Sequence, residues 1–368
     1  MATILSTKVI HQKAGTMDGW PTLCRKSNGE LLVIFSGNRK YHACPYGRTL
    51  LIRSQDNGET WSEAEVVNDT RLDDRDAGLV QTSTGALVMT WFTSVAFEHD
   101  SIMRWVFQDP EVRRREMATW RAISESLEDE TRVRLLGSWA RRCPSGDGGH
   151  WEEPVRLPVS APHGVISLRD GRLLMVGKEI FGMEKDTLAE RLKFMDNGLG
   201  RIRCVESRDD GRSWQVISEI DSHGTPTANE PHVVECADGT LVAMLRNEAP
   251  ELGLPPSLAQ CESHDGGHTW TPTRKTRVYG LPPHLCPLPD GRLLLSFCRR
   301  WGTWGQYATF SNDNGRTWCE PFPVAPPSPG ADHGYPSTVQ LSDQSFLTAY
   351  YEPTEADGKP CVKLSHWR

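Results

Sequence analysis

Four stretches of the chain read SQDNGETW (54–61), SRDDGRSW (207–214), SHDGGHTW (263–270) and SNDNGRTW (311–318), all of the form S-x-D-x-G-x-[ST]-W. A degraded copy, SGDGGHW, occupies 145–151 with the Ser/Thr position missing. Recurrence at a spacing of tens of residues means one supersecondary unit arrayed several times, which limits the fold more than any local motif does. Within each box the aspartate and the Ser/Thr suit hydrogen bonding to turn backbone, the glycine relieves a strained φ, and the tryptophan packs between strands. Such a turn carries no reactive constellation, so Asp56, Asp209, Asp265 and Asp313 are read as scaffold.

A second phrase recurs between the boxes. It begins at Trp20 (WPTLCRKSNGELLVIFSG), Arg75 (RDAGLVQTSTGALVMTWF), Ala161 (APHGVISLRDGRLLMVGK), Glu230 (EPHVVECADGTLVAMLRN), Pro282 (PPHLCPLPDGRLLLSFCR) and His333 (HGYPSTVQLSDQSFLTAYY). Each is an apolar run, a tight turn such as Asp-Gly or Asn-Gly, and a second apolar run, the pattern of a β-hairpin. After most hairpins come another apolar strand, the box turn and a fourth strand such as SEAEVV or QVISEI. Four strands repeated six times predict an all-β, six-bladed β-propeller. The last unit ends in CVKLSHWR with no box and no fourth strand, so TILSTKVIHQ at the start of the chain is expected to supply that strand and remove the open edge.

A length of 368 residues suggests two or three domains by itself, but a closed ring of blades is one cooperative architecture, so residues 1–368 are expected to form one domain. The net charge of −7, with acidic and basic residues intermixed, leaves no electrostatic footprint for nucleic acid. No run of 18 apolar residues exists, so no membrane partner is expected. MATILSTKVIHQ lacks a charged start, a long apolar core and a small-residue cleavage site; cytoplasmic residence is the expectation unless a leader was removed. Ten cysteines show no CxxC pair or zinc spacing and read as free, mostly buried thiols.

If the hairpin turns and box turns share one face, each first strand starts and each second strand ends on the other. The long insertions fall only on that second face. Residues 94–133 contain DPEVRRREMATWRAISESLEDE, in which Asp109 and Pro110 can start a helix with Met117, Trp120 and Ile123 on one side. Residues 179–200, EIFGMEKDTLAERLKFMDNGLG, read as a second helical insertion. Function gathers on such loops around the axis. The polar residues expected there include Arg39, Asp73, Asp74, Arg75, Asp76, His163, Glu230, His232, Arg246, His284, Arg299, Arg300, His333 and Tyr335.

These motifs resemble the sialidase (neuraminidase) superfamily, whose Asp-box repeats and six-bladed propeller match nearly the whole chain. NEPHVVECADGTLVAMLRN resembles the sialidase stretch that supplies a glutamate and, one hairpin later, an arginine of the carboxylate-binding triad, which maps these roles to Glu230 and Arg246. GYPSTVQLSDQSFLTAYYE resembles the last blade and maps the nucleophilic tyrosine to Tyr335. DDRDAGLV occupies the place of the acid/base loop, with Asp76 the best match and Asp74 its rival. Another triad arginine is implied in blade five, from Arg300 or Arg299. The chain departs from the family at blade one, where DGWPTL replaces an Arg-Ile-Pro phrase and puts Gly19 in the arginine's place; Arg39 is the candidate to reach that space.

The resemblance implies an exo-acting glycoside hydrolase that releases a terminal acidic sugar, with a carbohydrate substrate and no cofactor. A neutral tyrosine avoids the repulsion that a carboxylate nucleophile would meet beside the substrate carboxylate, and sialidases are the tyrosine exception among glycosidases. His163, His232 and His284 stand at equivalent first-strand positions, with His333 close to a fourth. They read as hydrogen-bonding residues lining the substrate pocket, or as a divalent-metal site that no spacing rule supports; no metal is expected. The alternatives are an acidic-sugar lyase or hydrolase using tyrosine and histidine, and a non-catalytic carbohydrate-binding propeller.

Overall fold

The computed structural model of the chain describes residues 2–180, 187, 189–190, 200–225, 227–248, 255–355 and 358–368. Its strands form six four-stranded antiparallel sheets. Blades one to five run in chain order from innermost to outermost strand, over 17–68, 73–157, 166–220, 229–279 and 281–323. Blade six takes Gly334–Gln340, Phe346–Pro353 and Pro360–Trp367 and is completed by Ile4–His11. That N-terminal strand pairs antiparallel with the last one, from Ile4 opposite Trp367 to His11 opposite Val362, so the expected closure is what is found.

The core is a ring of wedges, one apolar cluster between each pair of neighbouring blades. Leu23, Val33, Phe35 and Leu347 lie between blades one and six, and Leu174, Val233, Leu245 and Cys261 between blades three and four. The boxes pin these wedges. In SQDNGETW the Ser54 hydroxyl donates to Asp56 Oδ1 at 2.7 Å and accepts from Gly58 N at 2.9 Å, while Thr60 N donates to the same carboxylate at 2.9 Å. This closed turn presents its tryptophan toward the preceding blade: Trp61 packs on the six–one wedge, Trp270 on the three–four wedge and Trp318 on the four–five wedge. In the degraded copy Cys143 and Ser145 divide the serine's two tasks, since Gly148 N donates to Cys143 Sγ at 3.3 Å and Ser145 Oγ donates to Asp147 Oδ1 at 2.6 Å. Blade six has no box, and Trp367 stacks on Phe346 at 4.4 Å to fill the wedge against blade five.

Between Ser94 and Gly137 the chain forms helices Asp100–Val106, Pro110–Glu125 and Asp129–Leu135. The Asp109 carboxylate caps the second, accepting from Glu111 N at 2.8 Å, and Pro110 opens it as expected. Met117 and Trp120 are buried, and with Ile123 they pack on Phe97, Ala43 and Cys44, seating the insertion on the loop between the second and third strands of blade one. Most of the second insertion expected at 179–200 lies outside the described residues. All ten cysteines are free; Cys319 is exposed and Cys286 partly so.

Candidate active site

An ordinary strand sends successive side chains to opposite faces, but the innermost strands here do not stay ordinary. Pairing with the second strand slips between Gly19 and Thr22, between Arg75 and Gly78, between Asn229 and His232, and between Gly334 and Ser337. In each slip one non-glycine residue has positive φ: Trp20 at 54°, Asp76 at 50°, Glu230 at 45° and Tyr335 at 54°. Four such residues at equivalent positions on blades one, two, four and six are strained bulges, a conformation that persists where surrounding structure enforces it and that concentrates at functional sites.

Three of the four line one cavity of about 310 Å³ with Arg75, Arg246 and Arg300. The Tyr335 hydroxyl donates to Glu230 Oε1 at 2.5 Å, and Arg246 Nη1 donates to Glu230 Oε2 at 2.8 Å. Burial raises the Glu230 carboxyl, but the Arg246 guanidinium and the Tyr335 hydrogen bond outweigh it and hold Glu230 below the usual glutamate value. Burial, reinforced by Glu230, pushes Tyr335 well above the usual phenol value. The resting pair is therefore a neutral phenol against an ionised carboxylate, a nucleophile with its base in contact.

The three aspartates of DDRD separate cleanly. Asp73 is fully buried against Arg39 at 2.6 Å. Asp74 is saturated, accepting from Asn68 Nδ2 at 3.0 Å, Thr70 N at 2.9 Å, Thr70 Oγ1 at 2.7 Å and Thr93 Oγ1 at 2.7 Å, and it takes no part in the cavity lining. Asp76 lines the cavity with a buried Oδ1 that has no hydrogen-bond partner among the described residues. Burial, reinforced by Glu230 and opposed by Arg75, raises its carboxyl to about 7. Between the ordinary aspartate value of about 3.9 and that raised value, the folded state keeps a proton that the unfolded state has lost, so folding weakens as pH rises through this window. Asp76→Asn removes the titration: it should melt at a higher temperature than the parent at pH 8 and gain nothing at pH 4. Equal shifts at both pH values would contradict the assignment.

The expected arginines divide. Arg246 and Arg300 line the cavity, and Arg300 is braced by donating to the His333 carbonyl at 2.7 Å and to the Tyr351 hydroxyl at 3.2 Å. Arg299 does not join them, since its guanidinium stacks on the Tyr307 ring at 4.4 Å within the blade. Arg39 does not reach the space left by Gly19. It is fully buried, held by Asp73 and donating to the Ser36 hydroxyl at 2.8 Å and the His42 carbonyl at 2.8 Å. Arg75, which sequence reasoning did not select as a ligand, lines the cavity instead, its guanidinium 4.6 Å over the Trp20 ring. Strand alternation would have put Arg75 and Asp76 on opposite faces; the bulge cancels it. His42, a polar residue the sequence places on this face, lines the cavity too; Lys178, Asn229, Phe92 and Trp105 were missed.

The four histidines expected to line the substrate pocket fall outside this cavity. His163, His232 and His284 pack against one another on the axis, with ring centroids 4.6 to 5.8 Å apart, and line a separate funnel of about 530 Å³ that runs toward the hairpin turns. His232 Nδ1 accepts from Leu285 N at 2.9 Å, and burial drives its ring down to about 3, so it is neutral at ordinary pH. In the same layer Gly78 is obligatory, because a Cβ there would sit 2.4 Å from the Gly164 Cα. The His333 ring is fully buried beside Gln306, and only its carbonyl serves the site, through Arg300. Among the described residues no group of three or more His, Cys, Asp or Glu is placed to hold a metal ion.

The six four-stranded blades make this chain a six-bladed β-propeller with a cavity at one end of its axis. No family model and no curated protein matches the chain. Solved structures do. A protein of unknown function from Dyadobacter fermentans DSM 18053 is similar at 22% identity and a TM-score of 0.76, over 100% of this chain and 99% of that one. The Hadza microbial sialidase Hz136 is similar at 18% identity and 0.63, over 95% of this chain and 65% of its own length. The Trypanosoma rangeli sialidase in complex with sialic acid is similar at 14% identity and 0.57, over 99% and 58%. The chain thus has the sialidase-like six-bladed fold and spans about two thirds or less of those two sialidases.

Proposed function

We propose that the chain is a retaining exo-glycoside hydrolase that releases a terminal carboxylated sugar, with sialic acid the leading candidate. The observation that carries this reading is the 2.5 Å contact between Tyr335 and Glu230 in a cavity that also holds Asp76 and three arginines. Tyr335 attacks the anomeric carbon while Glu230 takes the phenolic proton. Asp76 gives its proton to the leaving oxygen, then as a carboxylate draws a proton from the water that opens the glycosyl-tyrosine bond. Arg75, Arg246 and Arg300 hold the substrate carboxylate, for which the planar guanidinium is suited. Gly19 gives reason to expect poor turnover of simple sialosides; Arg75 at the same cavity reverses that expectation. His163, His232 and His284, which a Tyr/His lyase could have used, line the opposite funnel.

The test is release of sialic acid from an aryl α-sialoside, with the first-formed anomer read by proton NMR. The α-anomer is expected, and an inverted or unsaturated product would exclude the mechanism. The working form needs Glu230 ionised and Asp76 protonated. With Glu230 held low and Asp76 at about 7, kcat/KM should rise through the acidic carboxylate range and fall above about pH 7.

A further inference from the structure

A second cavity of about 590 Å³ opens beside the first and shares His42, Trp105 and Arg300 with it. Its own walls include Tyr41, Lys40 and Lys359. Trp105 comes from the helical insertion and is 57% exposed, an unusual position for a large aromatic side chain, and its ring meets His42 edge-on at 4.5 Å. An exposed aromatic face at the mouth of a sugar pocket is a platform for the apolar face of a further ring. The charges on the walls do not balance. Asp332 is the one acid lining this cavity among the described residues, and it is engaged: it accepts from the Tyr351 hydroxyl at 3.0 Å and faces His42 Nδ1 at 3.5 Å. Lys40 is matched by Glu116 at 2.9 Å. Lys359 donates to the Lys40 carbonyl at 2.6 Å and lies 5.0 Å over the Tyr41 ring, and no described carboxylate is paired with it. Arg300, on the border of the two cavities, meets a carbonyl and a phenol.

We propose that this cavity is the seat of the leaving group, and that it selects a sugar ring carrying an anionic substituent, with the ring against Trp105 and the anion against Lys359. The inference rests on the glycosidase reading above. The size falls within the range of small-molecule sites. The geometry also explains why the insertion is placed where it is: it carries Trp105 to the junction of the two cavities, with the acidic sugar beside Tyr335 and Asp76 on one side and the anionic ring on the other.

The decisive comparison uses two sialosides that differ only in their aglycone, α2,3-linked galactose with and without a 6-sulfate, followed by release of sialic acid. The parent should favour the sulfated substrate by about fivefold in kcat/KM, and Lys359→Gln should bring that ratio close to one. Lys359 is exposed, so this variant will fold. A parent indifferent to the sulfate, or a preference that survives Lys359→Gln, overturns the proposal. If neither substrate is cleaved, the glycosidase reading has failed, and the cavity is judged by binding alone. Galactose 6-sulfate should then quench tryptophan emission at lower concentration than galactose, with the difference lost in Trp105→Phe and in Lys359→Gln. Equal response to the two sugars, or none, overturns the proposal in that case.

Discussion

Tyr335→Phe should leave a folded protein whose turnover of the acidic glycoside is lower by several orders of magnitude, with no trapped glycosyl-enzyme. The substitution deletes one oxygen and little else. The ring keeps its edge contact with Trp20 at 6.4 Å and its tilt against Tyr351 at 5.9 Å. Glu230 keeps Arg246 at 2.8 Å, so no buried charge is abandoned. Because Glu230 is ionised in the resting pair, a carboxylate remains beside the anomeric centre in the variant, but it is the poor nucleophile for this substrate: it would approach a carbon that already carries a carboxylate. The measurement is kcat on an aryl sialoside together with a thermal melt. Parent-like turnover would remove Tyr335 from the mechanism, whereas a lost melt would mean that the variant had tested folding instead.

A chain lacking residues 1–11 should lose on the order of 5 kcal/mol of stability, because the ladder against Pro360–Trp367 disappears and each net backbone hydrogen bond contributes about 1 kcal/mol. The paired ends also lose the reciprocal bonds of Thr3 and Arg368, at 2.7 and 3.0 Å. Ile10 leaves the six–one wedge, and the last strand is exposed as an edge that can pair with another chain. Calorimetry and light scattering should show a lower transition temperature and a tendency to associate. An unchanged melt would mean that the ring does not depend on its seam.

Much of this was readable before any coordinates, for physical reasons that also mark where reading stopped. Hairpin turns and boxes are local backbone chemistry, so the blade number, the closing strand and the cap at Asp109 followed from the residues. Chain order placed Glu230, Tyr335 and Asp76 at the mouth of the channel, but it could not say how far a long side chain would reach, and Arg39 turned back into the sheet to meet Asp73. Arg299 and Arg300 differ by one residue, and only the end of the strand at Arg299 decides that the next residue is free to turn to the axis. The histidines were misplaced in depth: His232 lies two residues beyond the Glu230 bulge and, with His163 and His284 on the neighbouring blades, points into the channel below the cavity. Trp367 as a replacement for the missing box tryptophan leaves no motif at all, since its partner Phe346 lies 21 residues away in sequence and is brought to it only by the strand pairing.

The bulge that carries Trp20 has the same backbone as those that carry Asp76, Glu230 and Tyr335, with φ within ten degrees across the set. Trp20 can serve neither as acid, base nor nucleophile toward a carbohydrate, so the bent backbone is not specific to the chemistry of its occupant. It belongs to the ring, which holds a set of sockets open toward the axis whatever side chain fills them. Architecture and reactivity are then separately inherited: a single codon change in a socket alters what the protein does while leaving how it folds alone, and a lineage of such propellers can drift from one reaction to another, or to none, without passing through an unfolded intermediate form.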